Sequence, residues 1–183
     1  KPKDPKAKPH AIARRPAPAG GPAPVEAPFI IDHGGYYWLM VSYDYCCKGV
    51  NSTYYTVIGR SKAITGPYLG KDGSPLMEGG GSIFLRADLQ EQQRFRGPGH
   101  AGWLPDRDGQ DYVVYHAYDK QSNGAPTLRI APVRWGADGW PQADYCIPTG
   151  EKDMHFTLSR RGFIASSAGL SAAPLMARAN VAE

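Results

Sequence analysis

Glu26 stands in the stretch PVEAPFI, a single carboxylate among Val25, Ala27, Pro28 and Phe29. Apolar neighbours strip water from a carboxyl group and raise its pKa, which suits a general acid. A glutamate that merely ends a strand edge would look the same over so short a window. His100 stands in RGPGHAGW, where small residues on both sides leave room for a ligand or a metal ion. A hydrogen-bonded core histidine is the alternative. A third stretch, CCKGVNSTYY from Cys46 to Tyr55, is dense in hydrogen-bonding side chains. Asn51, Ser52, Thr53 and Tyr54 suit sugar hydroxyls, and an aromatic ring suits the apolar face of a sugar. The plain reading of that stretch is a surface turn. His116, within VVYHAYD, reads as packing rather than chemistry. GGGS at Gly79–Ser82 lacks the lysine and helix of a phosphate loop and is rejected as one.

These residues must be carried by strands. VEAPFII, GYYWLMVSY and YYTVIGRS are short runs rich in β-branched and aromatic residues, and His33-Gly34-Gly35 is a turn signal between the first two. The pattern recurs. HAGWL mimics EAPFI, DYVVYHAYD mimics YYWLMVSYD, and TLRIAPV mimics YTVIGRS, at offsets of about 74, 75 and 72 residues. A multi-strand unit repeated at even spacing predicts propeller blades. The repeat sets Glu26 and His100 at equivalent places near the start of each unit's innermost strand. GSIFLR at Gly81–Arg86 is either the fourth strand of the first unit or the opening of the second. Two blades do not close a ring, so the chain reads as part of one.

Composition agrees with an all-β protein: 22 Gly, 17 Pro, 11 Tyr and 4 Trp in 183 residues, with 42% hydrophobic and 21% charged. The net charge of +4 is misleading as a bulk number. Lys1, Lys3, Lys6, Lys8, Arg14 and Arg15 against Asp4 give the first sixteen residues +5, which leaves −1 for the rest. No basic face runs through the body, so nucleic acid is not an expected partner, and the arm reads as a solvated loop. Residues 1–24 form a Pro- and Ala-rich strap without periodicity. Cys46, Cys47 and Cys146 make neither a disulfide framework nor a metal pattern. No stretch is long and apolar enough to span a bilayer.

PVEAPFI, GYYWLMVSYDYCCKGVNSTYYTVIGRSKAITGPY, RFRGPGH, DYVVYHAYD and PTLRIAPVRW together closely resemble glycoside hydrolase family 43, above all its endo-α-1,5-L-arabinanases. The resemblance runs from about His10 to Trp140. It implies a five-bladed β-propeller that hydrolyses α-1,5-linked arabinan with inversion, one carboxyl group acting as acid and another as base. Glu26 matches the general acid of the family's E-A-P motif. His100 matches the G-P-G-H histidine that holds a central ion, usually calcium, largely through water. Cys47 and Asn51, Ser52, Thr53 and Tyr54 match the loop that borders the substrate cleft. The resemblance also implies a monomer, secreted or periplasmic, with arabinan or an arabino-oligosaccharide as partner.

The family's base and its third, tuning aspartate precede the E-A-P motif. The only acid before Glu26 here is Asp4, in a setting that matches neither. The chain therefore reads as the last two of five blades after a strap, with the propeller part over residues 25–150. The stretch SRRGFIASSAGLSAAPLMARA then looks like a twin-arginine export signal, with Met154 ahead of it and an A-x-A end at Ala177–Ala179. Such a segment belongs at a protein's start and implies bacterial origin. Residues 151–183 are expected to be disordered or loosely helical, outside the fold, as if two coding units were joined near Asp153. A non-catalytic carbohydrate-binding partial propeller is the competing reading. A WD-type interaction propeller is disfavoured, since no Trp-Asp dipeptide recurs.

Overall fold

The computed structural model describes residues 6, 8–17, 21–89, 94–107 and 109–144, together with the backbone of 154–159 and 162–167. Asp4, Cys146 and the twin arginines lie outside the described residues.

Eight strands form two four-stranded antiparallel sheets, each in simple up-and-down order. The first contains β1 (Val25–His33), β2 (Tyr36–Tyr43), β3 (Tyr55–Ser61) and β4 (Ser82–Leu85). The second contains β5 (Phe95–Pro105), β6 (Asp111–Asp119), β7 (Ala125–Trp135) and β8 (Pro141–Ala143). β4 pairs with β3, so Gly81–Arg86 completes the first sheet rather than opening the second. Gly34 and Gly35 both have positive φ, and this two-residue turn joins β1 to β2 as the sequence predicts.

Packing follows the period of two along each strand. Trp38 and Met40 of β2 face the second sheet and share a core with Val113, Tyr115, Ala117, Ala131, Val133 and Trp140. Leu39, Val41 and Tyr43 point the other way and pack with Val57, Tyr68 and Leu76. β2 is buried on both faces, which is why it reads as an almost unbroken apolar run.

The N-terminal arm is only partly the solvated loop expected of a charge run. Ile12 and Ala13 pack on the Leu39–Tyr43 face. The Arg14 N–H donates to the Leu76 carbonyl at 2.9 Å. Arg15 pairs with Asp44 at 2.6 Å and lies 4.7 Å from the Tyr43 ring centroid. The apolar pair inside the basic run is the cause: burying Ile12 and Ala13 carries Arg15 to its acid.

A second compact unit, Ile147–Glu183, contains β9 (Met154–Ser159) and β10 (Gly162–Ser167) paired as an antiparallel hairpin. Over 154–159 and 162–167 this differs from the disordered or loosely helical segment that the sequence leads one to expect for 151–183; the rest of that stretch lies outside the described residues. Phe156, Thr157, Phe163 and Ile164 are strand-favouring residues on both sides of a short connection, and this local preference takes the backbone to strand.

Candidate functional site

Glu26 lies at the start of β1 opposite Ser42 on β2, and it is exposed: its apolar neighbours in sequence do not strip water from it as expected, because alternation along the strand turns them to other sides. Directly after it β1 bulges: the two residues between Glu26 and Phe29 face the single residue between Ser42 and Met40, and Ala27 takes a φ of 50°. β5 repeats the device. The two residues between Gly99 and Gly102 face the single residue between His116 and Val114, and His100 takes a φ of 54°. Superposing bulge on bulge pairs Glu26 with Gly99 and Ala27 with His100. The sequence repeat, which set Glu26 against His100, is one residue out of register on this strand, because bulges shift strand count without changing the apolar pattern.

Gly99 has a reason to be glycine. A Cβ there would stand 2.2 Å from Cδ1 of Tyr54 and 2.3 Å from its Cε1. The Tyr54 ring occupies that space, stacked at 5.6 Å and 20° on the His116 ring. From there its hydroxyl donates to Glu26 Oε2 at 3.1 Å. Burial pushes the Tyr54 hydroxyl up to about 12, with the Glu26 charge adding to it and a hydrogen bond with Ser42 opposing. The phenol therefore stays a donor at all ordinary pH. Ser42 Oγ also accepts from the His100 backbone N–H at 2.9 Å, tying β5 to β2 beside the carboxylate.

The loop after β2 wraps the same place. Asp44 and Cys47 have φ of 67° and 64°. Among the described residues, four of the five non-glycine residues with positive φ, Ala27, Asp44, Cys47 and His100, thus belong to these bulges and this loop. Left-handed backbone at ordinary residues costs of order 1–3 kcal/mol each and concentrates where a surface is shaped for a ligand. Ser52 is buried and donates to the Tyr45 carbonyl at 2.9 Å, while a Cβ on Gly97 would lie 2.2 Å from its Oγ. Ser52 and Tyr54 are thus the braced back of the loop. Cys47, Asn51 and Thr53 are its exposed front. The Cys47 N–H donates to the Tyr118 hydroxyl at 2.7 Å, which pins the loop to the second sheet. A hydrogen bond with Cys47, then burial, push the Cys46 thiol up to about 11, so it is no thiolate nucleophile at neutral pH.

His100 is exposed at its bulge, and His116 lies half-buried behind it. Burial first, and the neighbouring His100 second, lower the His116 pKa, so its ring is neutral at pH 7. Among the described residues its Nε2 is buried without a hydrogen-bond partner. Calcium takes six to eight oxygen ligands. Among the described residues no three His, Cys, Asp or Glu side chains converge, and His100 offers a nitrogen. The donor set on these two sheets alone does not fit calcium.

The sequence picked out Glu26, the loop and His100, and the structure gathers them at one end of the two sheets. It did not pick out Ser42, Gly99 or Tyr118, nor give His116 its place behind Tyr54. The only signal for Gly99 was the G-P-G run, and for Ser42 a small polar residue inside an otherwise apolar strand.

Glu26 thus stands on a bulged strand, hydrogen-bonded by Tyr54 and bordered by a polar loop. The sequence profile of glycosyl hydrolases family 43 matches residues 4–141, and the chain belongs to that family. It is 41% identical over 144 residues to an extracellular exo-α-(1→5)-L-arabinofuranosidase of Cellvibrio japonicus, covering 77% of this chain and 38% of that protein. It is 46% identical over 137 residues to an extracellular endo-α-(1→5)-L-arabinanase of Bacillus subtilis, covering 72% of this chain and 37% of that one. Among solved structures, an α-L-arabinanase of Cellvibrio cellulosa in complex with arabinohexaose superposes with a TM-score of 0.66 at 40% identity, covering 74% of this chain and 43% of that one. The chain spans about two fifths of the length of these relatives. The two sheets are two adjacent β-propeller blades. No helix among the described residues is long and apolar enough to cross a membrane.

Proposed function

We propose that these two blades supply the general-acid side of a cleft that hydrolyses α-1,5-linked L-arabinan with inversion. Glu26 gives its proton to the departing glycosidic oxygen. Tyr54, wedged between Gly99 and His116, fixes the carboxyl group for that transfer. Cys47, Asn51 and Thr53 line the sugar, with Ser52 and Tyr54 shaping the loop from behind. The observation that carries this reading is the Tyr54–Glu26 hydrogen bond of 3.1 Å inside a cluster of left-handed backbone. The printed activities of the Cellvibrio and Bacillus relatives support the substrate, and the arabinohexaose complex supports an extended arabinose chain as the partner. Both relatives are named extracellular, which supports a secreted or periplasmic setting.

Inversion needs a base carboxylate on the far side of the sugar, about 6.5–9.5 Å from the acid. The family pattern puts that base ahead of the E-A-P motif, where this sequence has only Asp4. General acid and base contribute about 10²–10⁴-fold each and must act together. The 183 residues alone are therefore expected to be inactive, the strap over 1–24 and blades over 25–150 being one part of a five-bladed ring. The segment 151–183 plays no part in the chemistry. A calcium ion near His100 would be held through water and by side chains beyond these two blades.

The test is an assay of the 183-residue chain on debranched arabinan. No released arabino-oligosaccharide is expected; release that Glu26→Gln abolishes would overturn inactivity and leave Glu26 as the acid. Binding of arabinan without turnover, unchanged in Glu26→Gln, would mark a carbohydrate-binding module instead.

A further inference from the structure

The end of the sheets away from Glu26 carries a cavity. It lies by the β1–β2 turn, about 20 Å from Glu26 at ~3.3 Å per strand residue. Its volume is ≈ 420 Å³, and Tyr36, Arg60, Lys62, Lys71 and Trp140 are among its walls. That volume falls in the small-ligand range of about 300–1,000 Å³.

Three cations reach this cavity. Lys71 is paired with Asp138. Lys62 Nζ donates to the Gly35 carbonyl at 3.0 Å and sits 3.5 Å from the Tyr36 ring centroid. Arg60 has its guanidinium 4.5 Å from the Tyr36 centroid, 4.9 Å from Trp140 and 5.6 Å from Trp38. Among the described residues the Arg60 side chain makes no hydrogen bond or ion pair, and Lys62 has no acid partner. Three rings therefore hold a planar fork of five donors in place with no acceptor supplied by the described residues. Pre-organisation of this kind removes most of the entropy cost of engaging an anion.

The shape of the fork points to a carboxylate or a similar two-oxygen acceptor. Arabinose units carry no charge, so these cations do not serve a neutral arabinan. The chain beyond its N-terminal arm has a net charge of −1, so no general basic field surrounds the cavity and recognition rests on the carboxylate held at the cavity itself. The rings around Arg60 are covered by Arg60 and Lys62 themselves, so selectivity comes from charge and pocket size rather than ring stacking. We propose that this cavity binds the carboxylate of an acidic, uronate-bearing sugar chain, with Arg60 as the bidentate fork and Lys62 as the flanking charge. The chain's membership of a glycosidase family favours a sugar-borne carboxylate over a free one. The inference does not depend on the role of Glu26.

The test is calorimetry on the full 183-residue chain with trigalacturonate, galactotriose and sodium acetate at low and high salt. Trigalacturonate is expected to bind at low salt and to weaken as salt rises, since the cations are only partly shielded. Galactotriose and acetate are expected not to bind measurably. Arg60→Met keeps the stem against the rings and removes the donors; it should weaken trigalacturonate by about tenfold or more, as loss of a charge-assisted pair does. Should that variant lose its fold by circular dichroism, Lys62→Gln, at an exposed side chain, is expected to weaken binding about threefold at low salt. Absence of trigalacturonate binding, equal binding of galactotriose, or affinity unchanged in the folded variants would overturn the proposal. Acetate binding as tight as trigalacturonate would reduce the cavity to a small-anion site and overturn the sugar assignment.

Discussion

Met40 and Val114 hold the same place in the two sheets, each opposite the far end of its sheet's matching bulge. Met40 is fully buried because the second sheet lies over it, while Val114 is only half-buried. The same contrast runs along both strands. The Leu39–Tyr43 face of the first sheet is covered by Tyr68, Leu76 and the Ile12–Ala13 strap, whereas the second sheet leaves Leu128 at 71% exposure. Strands of the same β-rich character and order therefore give one blade sealed on both faces and one sealed on a single face. Burial is a property of the neighbour as much as of the strand.

The comparison can be broken by truncation. Met40→Ala is expected to cost about 2–5 kcal/mol, for lost transfer energy and a cavity between the sheets. Val114→Ala should cost well under half of that. Urea unfolding of the two variants measures both, and equal losses would mean that the blades do not differ in cover.

The bulges offer a finer contrast. Gly99→Ala puts a Cβ into the Tyr54 ring and is expected to destabilise by about 1–3 kcal/mol, as overpacking does. At Gly102, in the same bulge, the nearest atom to a new Cβ is 3.7 Å away, and alanine there should be close to neutral. Thermal melts of the pair would separate close packing from any general dislike of alanine in β5. A matching drop at Gly102 would refute the packing explanation.

Smaller still is Tyr54→Phe, which removes one hydrogen bond to an exposed carboxylate and should cost about 1 kcal/mol. Its clearer signature is optical. Tyr43 and Tyr54 are both held up to about 12, by burial first. The folded chain should keep those two phenols protonated where an unfolded one ionises them, near pH 10, and lose stability as pH rises from there toward 12. Absorbance at alkaline pH should show one late-titrating tyrosine fewer in Tyr54→Phe.

The mildest effect is on the acid side. His116 faces Tyr54 and Tyr118 and lies beside His100; burial holds its folded pKa below the usual value. An unfolded chain binds the proton first, so the stability from neutral His116 is full above about pH 6.5. It falls as pH drops through that value toward the folded pKa. His116→Gln should flatten the slope of stability against pH in this window. An unchanged slope would show that the ring is not desolvated behind Tyr54.

How much of this was legible beforehand differs by element. The strands, the β1–β2 turn and the repeat were readable, because alternation and β-branched or aromatic runs are local signals. Glu26, His100 and the Cys46–Tyr55 loop were readable through short motifs. The one-residue slip that pairs Glu26 with Gly99 was not, since a bulge leaves no mark on apolar periodicity. The docking of Arg15 on Asp44 was hidden inside a charge run. The Arg60 cavity was invisible, because Tyr36, Arg60 and Trp140 are far apart in the chain and meet only when the sheets pack.

By itself, then, the amino-acid sequence determined an all-β chain of two repeated multi-strand units, the family to which they belong and a short roster of polar residues at their ends. Those follow from local propensity and from motifs whose spacing is kept by a rigid strand. Tertiary structure alone decided that Tyr54 fills the space left by Gly99 to reach Glu26, that the first blade is sealed twice and the second once, and that an arginine stands between rings without an acid. Each depends on which faces come together, and contact between distant segments is settled by packing rather than by any neighbour along the chain.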